Sequence, residues 1–139
     1  MAVTVANETA ARVETALIKR SVAAALRHQR ASGDVSVVIV GDLKMRRLNR
    51  TYRGKDAVTD ILSFREEEAE IAENGFLGEL IIDYRVIRQQ AKRFAPSIRW
   101  ELAFIVIHGV LHLLGHEDET EKGAAEMERL GHLIIKKVL

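Results

Sequence analysis

From Ser97 to Gly115 the sequence is apolar on nearly every side of a helix, and this stretch constrains the fold more than any other. A helix without a polar face has to be covered all round. Its ends are marked as well: Ser97 is an N-cap residue, and Gly115 suits the left-handed conformation in which helices finish. The longest unbroken apolar run, Leu102–Ile107, is far short of the ~18 residues of a membrane span, so the helix is expected to be a core element. A chain of 139 residues can build that core as one domain, residues 1–139.

The flanking segments read as material to cover it. A short opening strand is predicted at Ala2–Val5. Asn7 is a candidate N-cap for a helix reaching about Arg30 and stopped near Gly33. The β-branched run Val35–Val40 reads as a buried strand. Asp42 is placed as the cap of a helix with a Met45, Leu48 and Tyr52 stripe, ending near Gly54. Strands are expected at Val58–Phe64 and Phe76–Asp83, joined by a solvated acidic loop or hairpin arm at Glu66–Glu70. A helix follows at Tyr84–Phe94, with Ile87, Ala91 and Phe94 inward and Pro96 ending it. The last helix runs from about Thr120 with Met127, Leu130, Ile134 and Val138 on one face. The order β-α-β-α-β-β-α-α-α describes an α/β (α+β) fold with one small sheet, about four strands and about five helices.

Composition narrows function mainly by exclusion. The absence of cysteine removes disulfides and thiolate metal sites, and suits a reducing compartment. No charged-then-apolar leader opens the chain. The 21 basic and 20 acidic residues nearly cancel, so any affinity for nucleic acid has to be local.

The chemistry is concentrated in His108-Gly109-Val110-Leu111-His112-Leu113-Leu114-Gly115-His116-Glu117-Asp118. Four residues at about 100° each place His108 and His112 about 40° apart on the helix, so both imidazoles can face one ion. A lone histidine on an apolar helix is usually a satisfied core residue. Two of them one turn apart, before a glycine stop, are harder to dismiss, because burying idle titratable rings costs free energy. Beyond Gly115 the chain can fold back with a third ligand. Asp118, ten residues past His108, has the spacing of the last ligand in H-x-x-x-H-x-x-G-x-x-H zinc sites. Asp118 can equally cap the final helix with Glu121, and His116 is the alternative ligand. Gly109 stands where the metalloprotease motif H-E-x-x-H carries its general base, which argues against peptide hydrolysis. Glu101 and Glu117 are candidates for a base elsewhere. His28 and His132 receive no role.

A second cluster, Leu43–Lys55, holds six basic residues and no acid after Asp42. Each one alone is ordinary helix surface. Together, facing a cleft, they would hold phosphates, and Lys44, Arg47 and Lys55 are taken as the binding candidates.

The run Leu48-Asn49-Arg50-Thr51-Tyr52-Arg53-Gly54-Lys55-Asp56-Ala57-Val58-Thr59-Asp60-Ile61-Leu62-Ser63-Phe64 closely resembles the YbeY family of bacterial rRNA-maturation endoribonucleases. So do Leu77-Gly78-Glu79-Leu80-Ile81-Ile82 and the H-G-x-L-H-L-x-G core of the histidine motif. The resemblance spans nearly the whole chain. It implies a mixed sheet, a cytoplasmic location and a zinc-like metal in a cleft. It further implies single-strand-selective RNA cleavage in 16S rRNA 3′-end processing and ribosome quality control, with ribosomal components as partners. The family's metal ligands map onto His108, His112 and position 118, and its functional arginine onto Arg53. Three positions depart from the family pattern: Asp118 stands where a histidine is usual, and Val58 and Arg65 where prolines are usual.

The expected chemistry is metal-assisted hydrolysis of RNA, with Arg53 on the scissile phosphate. The ion is expected to be zinc, with nickel, manganese or iron as other candidates, and neither a membrane nor a nucleotide cofactor is expected. Two other readings remain open from sequence: a ribosome-assembly factor with a structural metal, and a metal-dependent hydrolase of another substrate.

Overall fold

The computed structural model describes residues 2–139. Its elements run β1 (Val3–Asn7), α1 (Thr15–His28), β2 (Asp34–Val40), α2 (Asp42–Arg53), β3 (Ile61–Arg65), α3 (Glu68–Asn74), β4 (Phe76–Asp83), α4 (Tyr84–Phe94), α5 (Ile98–Leu113) and α6 (Glu121–Ile135). The four strands form one mixed sheet in the order β1-β2-β4-β3. β1 and β4 flank β2 in parallel, while the edge strand β3 pairs antiparallel with β4.

Strand alternation sorts the core onto two faces. Val35, Val37 and Ile39 of β2, with Leu80 and Ile82 of β4, join α1, α5 and α6 in the main core. Val40 and Ile81 point to the other face, where Met45 of α2 and Leu62 of β3 close a smaller cluster. Helix α5 lies in the main core against α1, α4, α6 and the β3–β4 half of the sheet, as its all-round apolarity requires. Among the described residues no single helix is long and apolar enough to cross a membrane.

Several expected boundaries move, each for a local reason. Asn7 ends β1, pairing with Ile39, and its side chain builds a turn instead of a cap: Thr9 N–H donates to its Oδ1 and its Nδ2 donates to the Ala11 carbonyl. Helix α1 therefore starts only at Thr15, and Ala10 and Val13 precede it. It stops before Gly33, at a left-handed Arg30 (φ 53°), where Ala31 N–H reaches the Leu26 carbonyl in a Schellman closure. Asp42 is the first residue of α2 and makes no side-chain cap; its carboxylate takes Arg85 instead. Tyr52 and Phe94, expected on inward stripes, are 60% and 78% exposed. Phe94 is the last residue of α4, and Tyr52, next to the end of α2, sets its ring edge-on to Phe64 of β3, 5.2 Å between centroids, with its outer side in solvent. β3 begins at Ile61, because the Asp60 carboxylate takes the Ile61 N–H. The acidic stretch is partly helical: α3 makes a sixth helix, closed by a left-handed Gly75.

Candidate metal centre

Helix α5 enters the core through its capped end, where the Ser97 hydroxyl accepts from Trp100 N–H at 3.0 Å. About three turns on, Gly109 lies so close to the sheet that a Cβ there would sit 2.6 Å from Ile61 Cδ1 and 2.9 Å from Leu80 Cδ2. That contact presses the helix onto β3 and β4 and leaves no room for a protease-type glutamate. His108 and His112 come out on the neighbouring face, both partly exposed, with ring centroids 4.8 Å apart.

The helix ends at Leu113, and Gly115, at φ 97°, turns the chain back. The turn brings Asp118 Oδ2 to 3.3 Å from His108 Nε2 and 3.5 Å from His112 Nε2. One ligand atom from each of the three residues lies within 4.8 Å of the others. His112 Nδ1 sits 3.1 Å from the His116 carbonyl and donates to it, so Nε2 carries the lone pair. Burial, then the neighbouring His112, hold the His108 imidazole below its ordinary pKa, which favours the neutral form that binds metals. Two imidazoles and a carboxylate fit a divalent transition metal. The His116 side chain is turned to Gln29, its Nε2 2.8 Å from Oε1. Thr120, not Asp118, caps α6 by accepting from Gly123 N–H.

These residues line a cleft of about 880 Å³ between α5, the edge strand β3 and the turn before α6. Arg53 reaches it from the end of α2; its Nη2 donates to the Ser63 carbonyl at 2.8 Å, and its guanidinium carbon lies 5.5 Å from the centre of the Phe64 ring. Lys55 also lines the cleft. Lys44 is elsewhere, paired with Glu8 at 2.7 Å. Arg47 lies on the outer side of α2 with Arg46 and Arg50. Asp56 pairs with Arg46 and Arg50, so part of that basic face is internally neutralised.

Of the two candidate bases, Glu117 lines the cleft but spends its oxygens on Glu119 N–H and the Thr120 hydroxyl. Glu101 is buried and does not line the cleft, accepts from Gln90, and has a carboxyl pushed up by burial. The cleft also contains residues to which sequence reasoning gave no role. Asp60, held by Ile61 N–H and Gln90, stood inside the quoted motif; Arg65 was marked only as a departure from a usual proline, and Phe104 carried no local signal.

Comparison with known proteins follows the same outline. Residues 3–139 match the family described as Endoribonuclease YbeY. An Endoribonuclease YbeY of Thermodesulfovibrio yellowstonii is 45% identical over 105 residues, covering 75% of this chain and 66% of that one. An Endoribonuclease YbeY of Roseiflexus castenholzii is 39% identical over 148 residues, covering 97% and 93%. The solution structure of a Thermotoga maritima protein, 24% identical, shares the fold with a TM-score of 0.68 over 98% of this chain and 88% of that one.

Proposed function

Because the chain belongs to the YbeY family of endoribonucleases, we propose that it hydrolyses phosphodiesters of single-stranded RNA at the His108–His112–Asp118 cleft, in the maturation of ribosomal RNA. The observation that carries this reading is a guanidinium, Arg53, lining the same cleft as a ready metal-ligand group.

His108, His112 and Asp118 are the ligands in this reading; the turn of the His116 ring toward Gln29 supports Asp118 over His116 as the third. A divalent transition metal held there supplies Lewis acidity at a phosphoryl oxygen and acidifies water. Zinc suits two imidazoles and a carboxylate; the carboxylate also hardens the set enough to admit manganese or iron, and imidazole suits nickel. Arg53 binds the scissile phosphate. Its bond to Ser63 holds one edge of the guanidinium, and the remaining donors have no protein partner among the described residues. Charge gathering on the phosphoryl oxygens in the transition state strengthens that contact, which is how a positioned cation accelerates the step. Lys55 extends the cationic lining, whereas Lys44, paired with Glu8, and Arg47, on the outer side of α2, do not line this cleft and take no part in this reading. Residues 1–139 act as one domain, in the cytoplasm, on RNA presented with ribosomal components. The comparisons do not favour the assembly-factor reading or a different substrate.

The test is cleavage of end-labelled, unstructured RNA by purified protein with and without chelator, with His108→Ala as the control for contaminating nuclease. Cleavage that is abolished by chelator, absent in the variant and weak on duplex RNA supports the proposal. Intact RNA under metal-replete conditions refutes it.

A further inference from the structure

Arg65 ends the edge strand β3 and lines the cleft beside the metal-ligand group. Its Nε donates to the carbonyl oxygen of Leu113 at 3.0 Å, across 48 residues of sequence. Leu113 is the last residue of α5, so the bond satisfies one of the carbonyls a helix leaves free at its end. Capping uses only one nitrogen. The two Nη groups have no hydrogen-bond or ion-pair partner among the described residues, although Glu66, Glu67 and Glu68 follow directly in sequence. A guanidinium fixed at Nε and open at both Nη atoms can grip a phosphate with two donors.

Its relation to Arg53 gives that grip a direction. Arg53 is anchored on the Ser63 carbonyl, and Arg65 leaves the same strand two residues later. Two residues of strand span about 6.8 Å, a separation one nucleotide step of an extended strand can bridge. The charge balance of the cleft makes each cation count. Arg53, Lys55 and Arg65 are its only Lys or Arg side chains, against five carboxylates among the lining residues described.

We propose that Arg65 is a second phosphate-binding arginine, holding the backbone phosphate next to the one on Arg53 along β3. The inference rests on the proposed action on single-stranded RNA and assigns a residue to the strand's path through the cleft.

The experiment measures binding of a short fluorescein-labelled unstructured RNA to the full chain by anisotropy across a salt series, with chelator present to prevent cleavage. Arg65→Gln removes the charge and Arg65→Lys keeps it without the fork; Arg93→Gln, on α4 and outside the cleft, controls for net charge. Arg65→Gln is expected to weaken binding about tenfold and to flatten the logarithmic salt slope by about 0.7, one single-strand phosphate contact. Arg65→Lys is expected to keep the slope and lose part of the affinity, and Arg93→Gln to match wild type. Melting curves set a temperature at which every variant is folded. Wild-type affinity and slope in folded Arg65→Gln, with only a lowered melting point, would make Arg65 a helix cap and nothing more. Wild-type protein that neither binds nor cleaves the RNA overturns the proposed function itself, and this inference with it.

Discussion

His112 Nδ1 lies 3.1 Å from the carbonyl oxygen of His116, the residue that begins the return of the chain toward the two imidazoles. A carbonyl can only accept, so the proton is on Nδ1 and the lone pair on Nε2, on the side of Asp118. One hydrogen bond thus selects the tautomer and ties the turn to the helix. Because the bond uses the backbone of His116, the side chain at that position is expendable for it.

The ligand proposal therefore separates by position. His108→Ala, His112→Ala and Asp118→Ala are each expected to lose bound metal, measured by elemental analysis after dialysis. Asp118→His is expected to keep it, since imidazole is an equally good ligand, and His116→Ala to keep it because its ring faces Gln29. Metal retained by Asp118→Ala and lost by His116→Ala would reverse the assignment.

Metal binding is expected to stabilise the fold, because the ligands join α5 to the turn after it and only the folded chain assembles them. Removing metal with chelator should lower the melting temperature of wild type and leave that of His108→Ala unmoved. Equal midpoints for metal-loaded and stripped wild type would contradict this.

Arg53→Lys keeps the charge but loses the planar fork that reaches the Ser63 carbonyl and a phosphate together. Cleavage should fall by a factor of 10² or so while the fold persists, since the residue is exposed. Activity equal to wild type would remove Arg53 from the site.

Gly109→Ala tests how tightly the metal helix is pressed to the sheet. The added methyl meets the ends of Ile61, which lines the cleft, and of Leu80, which is fully buried and can shift only by overpacking the core, at a cost of about 1–3 kcal/mol. Urea titration measures it, and an unchanged midpoint would show that the contact is slack.

Asp83 predicts a pH dependence unrelated to the metal. Its carboxyl caps α4, is fully buried, and has one oxygen without a partner. Burial, then the carboxylate of Asp42 beside it, pushes its pKa from the ordinary 3.8 up to about 6. The fold thus favours the protonated form, and this contribution to stability is complete below pH 3.8 and is lost as pH rises through about 6. Asp83→Asn keeps the capping oxygen, so unfolding free energy between those limits should become flatter with pH than in wild type. An identical slope would sink the assignment.

What the sequence determined by itself is what depends on neighbours within a turn or two. The Ser97 cap, the one-turn spacing of His108 and His112 and the left-handed turn at Gly115 are set by hydrogen bonds spanning three to five residues, and all were legible. The paired family motifs made the fold and the activity legible too. Other features depended on competition between equally plausible local partners. Asn7 could cap a helix or close a turn, and pairing of β1 with β2 decided for the turn. The basic residues of α2 look alike in a row, yet helix rotation and the acids of other segments send Lys44 to Glu8, Arg46 to Asp56 and Lys55 to the cleft. Arg65 stood out only as an arginine in place of a usual proline; its role could not be read, because its partner, the Leu113 carbonyl, is 48 residues away and becomes available only where α5 ends against the sheet. Periodicity encodes which face of an element is apolar; it does not encode which distant group will stand opposite a given side chain once the sheet and helices have packed.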